Sequence, residues 1–216
     1  THHTNEIAQC VACNHVDPVK YWLHPNMLTV NGQKMSKSLG NSFLPAELFD
    51  GSHPLLDQGY SPMTVRFSML QAHYRSTLDF SNDALKAAEK GYKRLMNAKS
   101  ALDQITISGI VNNDEEANVN KLLLATYDAM NNDFNSAQAI AELNEAASLI
   151  NTWNSLQNKK ANIQEHTLLR LKTLLHHFLF DILGLLEESE NNNEKLNGVM
   201  ELVIDIRKDA RGKKDF

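Results

Sequence analysis

Cysteine is nearly absent from this chain, with Cys10 and Cys13 the only two among 216 residues. Two thiols cannot build a disulfide framework, and their scarcity fits a reducing, cytoplasmic location. No run approaches the roughly 20 consecutive apolar residues of a membrane span, so no membrane partner is expected. Thr1–Glu6 is polar and lacks the apolar stretch of a secretory leader. No Met opens the chain, which reads as a trimmed piece of a longer protein. Repeats and glycine-rich linkers are missing. So is an excess of basic charge: the formal net charge is -5. That excludes a wholesale nucleic-acid coat and leaves local basic patches as the route to such a partner. What is present is 42% hydrophobic residues, enough for a core in one large or two small domains.

One stretch stands out against that background, Gly32-Gln33-Lys34-Met35-Ser36-Lys37-Ser38-Leu39-Gly40-Asn41. It lies between the apolar run Met27–Val30 and a Pro-led helical segment at Leu44–Phe49. Lysine ammonium groups are compact charges that favour phosphate, and small residues let backbone and hydroxyls reach the same oxygens. The glycines permit a loop that closes over a ligand. The competing reading is a solvated surface turn.

The N-terminal segment offers possible metal ligands. A short helix is expected over 5–13 with Asn5 as its cap, preceded by His2 and His3 and carrying Glu6. Histidine and carboxylate are both zinc ligands, although a polar turn whose histidines bind nothing is the alternative. Cys10 and Cys13, three apart, share a helix face and could join His2 or His3. A single pair does not specify a metal, and buried structural cysteine is the simpler reading.

Strand character is expected at Lys20–His24 and Met27–Val30, and loop at Ser52–Gly59. From Pro62 onward the period is helical. One helix is expected over Met63–Tyr74, and a longer one, capped at Ser81–Asp83, runs to about Gln104. Its apolar positions are Leu85, Ala88, Tyr92, Leu95, Met96 and Leu102. Lys86, Lys90, Lys93 and Arg94 share its opposite stripe with little acid among them; this is either a solvated face or a phosphate-contacting one. Further helices are expected over Val119–Met130, Ser136–Trp153 and Gln164–Glu188, and over Val199–Ala210, which leads into a basic cluster containing Arg207, Lys208 and Arg211. Five long amphipathic helices with short joints predict an antiparallel bundle. The division expected is 1–60, 61–112 and 113–216.

Lys34–Ser38 matches the K-M-S-K-S signature of class I aminoacyl-tRNA synthetases letter for letter. His2-His3-Thr4-Asn5-Glu6-Ile7-Ala8-Gln9 resembles the H-H-E-N-E-I-A-Q motif of the cysteinyl-tRNA synthetases. Tyr21–His24, Lys34–Asn41, Val65–Phe67, Ala72–Ser76 and Asp133–Asn135 follow in that family's order. The resemblance covers essentially the whole chain. It implies a mainly α fold: the end of a Rossmann-type catalytic domain bearing the loop, then a DALR-type antiparallel helical bundle. It implies a cysteine–tRNA ligase that activates L-cysteine with ATP and Mg2+ and transfers it to tRNA(Cys), expected as a monomer. Lys34 and Lys37 would then be catalytic, with Met35, Ser36 and Ser38 completing the ATP-binding loop. His2 and Glu6 would supply half of a Zn2+ site whose cysteine ligands lie upstream, Thr4 replacing the motif's Glu at a non-ligand position. Lys86, Lys90, Lys93, Arg94, Arg207, Lys208 and Arg211 would meet tRNA backbone. With the H-I-G-H signature and the anticodon-reading module both lacking, the piece is expected to be inactive alone. Two alternatives stand beside this: a piece of another class I synthetase such as the methionyl enzyme, against which the H-H-x-N-E run argues, or a helical interaction module without nucleotide chemistry.

Overall fold

A computed structural model describes residues 3–156 and 159–188. Helix α1 spans Thr4–Asn14 and buries none of its residues. It starts one position before Asn5, because the Ile7 N–H already donates to the His3 carbonyl, and His3 takes the cap position in a left-handed conformation. Asn5 is therefore inside the helix and not its cap.

Strand β1 is confined to Leu28–Val30. Lys20–His24 forms no strand, because only from Leu28 onward does the backbone find ladder partners, and Tyr21 is 82% exposed. Strand β2, Gln33–Lys34, pairs antiparallel with β1 across Asn31 and Gly32. Both turn residues have positive φ, 49° and 75°, the two-residue turn for which Asn-Gly is the preferred sequence. Helix α2 spans Pro45–Asp50 and α3 spans Pro62–Leu70. Strand β3, Leu78–Phe80, then returns parallel to β1 with Leu28 opposite Leu78 and Val30 opposite Phe80. The order in the sheet is β2-β1-β3, so its strands come from both sides of residue 60.

Helix α3 stops at Leu70 and does not continue to Tyr74. Residues 73–75 are drawn away by polar ties to Asn26 and Asp133, which outweigh the apolar spacing that suggests a longer helix. A small core of Val30, Leu48, Tyr60, Val65, Phe80 and Leu85 lies beneath the sheet, with Met35 packed against it.

Helix α4, Asn82–Gln104, starts at Ser81, whose hydroxyl accepts from the Ala84 N–H. It buries Leu85, Ala88, Tyr92, Leu95, Ala98 and Leu102, so its first turn serves the small core and the rest serves a larger one. Strand β4, Thr106–Ile107, leads to α5 (Asn113–Asn131), α6 (Ser136–Ser155), β5 (Lys160–Ala161) and α7 (Glu165–His176). The parallel pair β4–β5 clips the two inter-helix connections together. Leu143, Ala147, Ile150, Trp153, Leu171 and Leu175 are among the residues filling the larger core.

The helix expected over Gln164–Glu188 ends sooner. At His177–Ile182 it widens into a π-helix, closed by the Leu183 N–H donating to the Phe178 carbonyl. Gly184, at φ 61°, then turns the chain back. That left-handed φ is why the reversal favours a glycine, and a Cβ there would also push aside the end of the Arg66 side chain. Leu185 is buried although it has left the helix, which is why the leucine spacing overstates the helix. The fifth bundle helix, expected over Val199–Ala210, lies outside the described residues. Among those described, no helix is long and apolar enough to cross a membrane.

Candidate nucleotide-binding loop and its surroundings

The Asn31-Gly32 turn delivers Lys34 at the end of β2, and the loop follows directly. The Asp79 carboxylate fixes the turn from below, accepting from the Thr29 hydroxyl and the Gly32 N–H, each at 2.7 Å. Met35 roots the loop in the small core. Ser36 to Leu39 forms one tight 3-10 turn, closed at Gly40, with the Ser36 and Ser38 hydroxyls 2.7 Å apart.

Asn41 fastens both ends of this loop. Its side-chain oxygen accepts from the Ser36 N–H at 2.8 Å, and its amide donates to the Lys34 carbonyl at 3.1 Å. Asn41 is buried, so these two bonds are shielded from competing water. Lys34, Lys37 and Ser38 are left exposed, and neither lysine has an acid partner among the described residues. Two ammonium groups without an acid partner, beside a pair of hydroxyls bonded to each other on the same turn, suit a polyanion such as a triphosphate. Asn41 belongs to the signature stretch, yet its spacing alone gives no hint of this fastening role.

Of the two expected metal ligands, His2 lies outside the described residues. The Glu6 carboxylate is 61% exposed and faces His3 Nδ1 at 3.6 Å. Among the described residues, no three His, Cys, Asp or Glu side chains converge as a metal site, whereas zinc takes about four ligands. Cys10 and Cys13 are not buried structural cysteines: Cys13 is exposed and Cys10 partly so, because α1 turns no face into a core. His3 instead stacks on Trp22, with ring centroids 4.8 Å apart.

The basic stripe on α4 is also less free than its spacing suggests. Lys86 pairs with Asp57 at 2.5 Å, and Lys93 with Glu89 at 2.6 Å. Arg94 donates to the Ser148 hydroxyl on α6 at 2.6 Å. Acid therefore does stand among these cations. Glu89 lies one turn before Lys93 on the same face, and Asp57 comes from a loop packed beside the helix. Lys90 is exposed and has no ion pair among the described residues. Arg207, Lys208 and Arg211 lie outside those residues.

A second polar cluster joins two distant segments. At the corner between α5 and α6, the Asp133 carboxylate accepts from the Tyr74 hydroxyl at 2.6 Å and from Arg75 Nε at 2.8 Å. His73 Nε2 lies 3.2 Å from the Asp133 carbonyl. The Tyr74 hydrogen bond, reinforced by the charge of Arg75, holds the Asp133 carboxyl below its ordinary range. Asp133 and Phe134 both have positive φ, 59° and 53°, and that strain aims the carboxylate at its partners.

Residues 1–90 match the family model described as the class I (C) tRNA synthetase catalytic domain, and residues 125–187 match the DALR domain. A cysteine–tRNA ligase of Cytophaga hutchinsonii is 46% identical over 218 residues. One from Phocaeicola vulgatus is 48% identical over 225. Over its whole length the chain is similar to cysteine–tRNA ligases. Each of these two relatives aligns with the whole of this chain, while 43% of the relative is covered. A relative from Prochlorococcus marinus is 37% identical over 238 residues, 46% of its length. The chain thus spans less than half the length of these curated relatives. Its catalytic-domain match contains the lysine loop and all three strands of the first sheet, and its DALR match runs from within α5 to Glu187, past the end of the π-helix.

Proposed function

We propose that this chain is the signature-loop and tRNA-facing part of a cysteine–tRNA ligase, which activates L-cysteine with ATP and Mg2+ and transfers it to tRNA(Cys). What supports this reading most is the lysine loop: Lys34 and Lys37 stand exposed and uncompensated on a turn fastened at both ends by Asn41. When the cysteine carboxylate attacks the α-phosphate, negative charge builds on the departing pyrophosphate. Ammonium groups held at that position bind the transition state more strongly than the ground state, and so accelerate the step. The Ser36 and Ser38 hydroxyls add donors to the same oxygens, Met35 keeps the loop seated, and Lys37 is the residue that touches ATP. The zinc expected at His2 and Glu6 needs donors that the described residues do not supply, and the loop chemistry is independent of it.

In this reading residues 1–60 carry the loop, 61–112 are stem-contact helices, and 113–216 form the DALR-type bundle of a cytoplasmic, monomeric enzyme. The backbone of tRNA lies along the stripe of Lys86, Lys90, Lys93 and Arg94 and along Arg207, Lys208 and Arg211. Lys90 is the cation best placed to begin that contact.

The test is Lys37→Ala in the full-length ligase, read by cysteine-dependent ATP–pyrophosphate exchange. Loss of one preorganised donor to a developing oxyanion lowers such a rate by about 100-fold. Exchange at the unaltered rate would sink the reading and favour a helical interaction module.

A further inference from the structure

We propose that Asp133 is a positioning residue that fixes the α5–α6 corner relative to the platform of the lysine loop, so that transfer to tRNA depends on it while cysteine activation does not. The inference rests on the ligase reading above. Its physical basis is a continuous set of polar ties. The Tyr74 carbonyl accepts from the Asn26 N–H at 2.9 Å, and the Arg75 carbonyl accepts from the Asn26 side chain at 2.8 Å. The Leu78 N–H donates to the Met27 carbonyl at 3.1 Å, and β1 begins at the next residue. From there only the Asn31-Gly32 turn separates the ladder from Lys34. On the other side, the Ser136 hydroxyl donates to the Leu70 carbonyl at 2.8 Å, beside the Asp133 contacts. The segment 70–78 is thus gripped by the bundle corner at one end and by the start of β1 at the other.

Magnitudes decide what this grip is for. The side chain of Arg75 is 66% exposed and that of Asp133 39%, and an ion pair so open to water adds little to global stability. The two buried cores supply that stability. Two successive non-glycine residues in the left-handed region nevertheless store backbone strain. A strained corner aimed at a pair worth little for stability is accounted for if what it fixes is relative position. Bound tRNA reaches from the bundle to the loop, whereas ATP and cysteine meet at the loop alone. Asp133 therefore matters once the tRNA end has to be presented to the adenylate.

The experiment compares Asp133→Asn and Tyr74→Phe with the unaltered full-length ligase, reading ATP–pyrophosphate exchange, aminoacylation of tRNA(Cys) and the melting temperature. The expected result is exchange within about twofold and a fall of roughly tenfold in kcat/KM for tRNA, carried by KM. Tyr74→Phe removes a single hydroxyl, so it supplies the answer if Asp133→Asn folds poorly. Equal loss of both activities together with a lowered melting temperature, or no loss of either, overturns the proposal. Failure of the unaltered enzyme to show cysteine-dependent exchange is a separate outcome and overturns the ligase reading itself.

Discussion

A single side chain, Asn41, decides whether the loop lysines are held or loose. Each of its two hydrogen bonds contributes about 1 kcal/mol net, so Asn41→Ala removes on the order of 2 kcal/mol of loop order. The expected outcome in the full-length enzyme is a fall of roughly 30-fold in pyrophosphate exchange, with little change in melting temperature because neither core is touched. Equal exchange rates would show that ATP orders the loop unaided. The lysines, serines and glycines of this site were legible in the sequence because their chemistry is local. The role of Asn41 was not, because it depends on the loop folding back across five and seven residues. The freedom of the α4 cations was misread for a related reason: Asp57 reaches Lys86 from 29 positions away.

Helix boundaries divide in the same way. Starts governed by local caps at Ser81 and Asn135 stand within a residue or so of the expected ones, whereas α5 begins at Asn113, six residues ahead of the expected Val119, because the Asn112 side chain caps it there. Ends governed by distant partners depart from the expected ones, as after Leu70, where Asp133 holds Arg75 from 58 positions along the chain. The start of α7 is another such junction. Glu116 on α5 accepts from the Thr167 hydroxyl at 2.5 Å and from the Gln164 N–H at 2.9 Å. Burial pushes the Glu116 carboxyl up, but the bonds from Thr167, Gln164 and Asn120 outweigh it and leave the group below its ordinary range. A carboxyl depressed in the folded state stabilises above its unfolded pKa, and that contribution fades as pH falls through the folded value. Glu116→Gln is expected to destabilise the protein by about 1 kcal/mol at neutral pH and by progressively less toward the acid side. Urea melts at neutral and acid pH check this, and a pH-independent difference would refute it.

At the scale of the whole molecule, the helices and their order follow from composition and period, whereas the way the sheet platform shares α3 and α4 with the bundle does not. Val65 and Phe67, two positions apart on α3, serve different cores, and no local pattern announces that. The parallel pairing of β1 with β3 has a kinetic consequence. It joins residues 50 positions apart, and closing a flexible segment of that length costs about 3.5 kcal/mol of chain entropy. Within the bundle the α5–α6 hairpin closes over a far shorter span, and the 54-position closures of β4–β5 and of Arg94 with Ser148 are backed by the larger core. The platform, with only its small core beneath it, should therefore be the part of the molecule that opens first, and it carries the lysine loop. Native-state hydrogen exchange is expected to give lower opening free energies for Leu28–Val30 and Leu78–Phe80 than for α4 and α6. Equal values across both regions would mean that the molecule opens as one unit. A region that opens first is also the portion most readily ordered by a bound ligand, since whatever binds the folded platform adds its binding free energy to the region that holds least of its own.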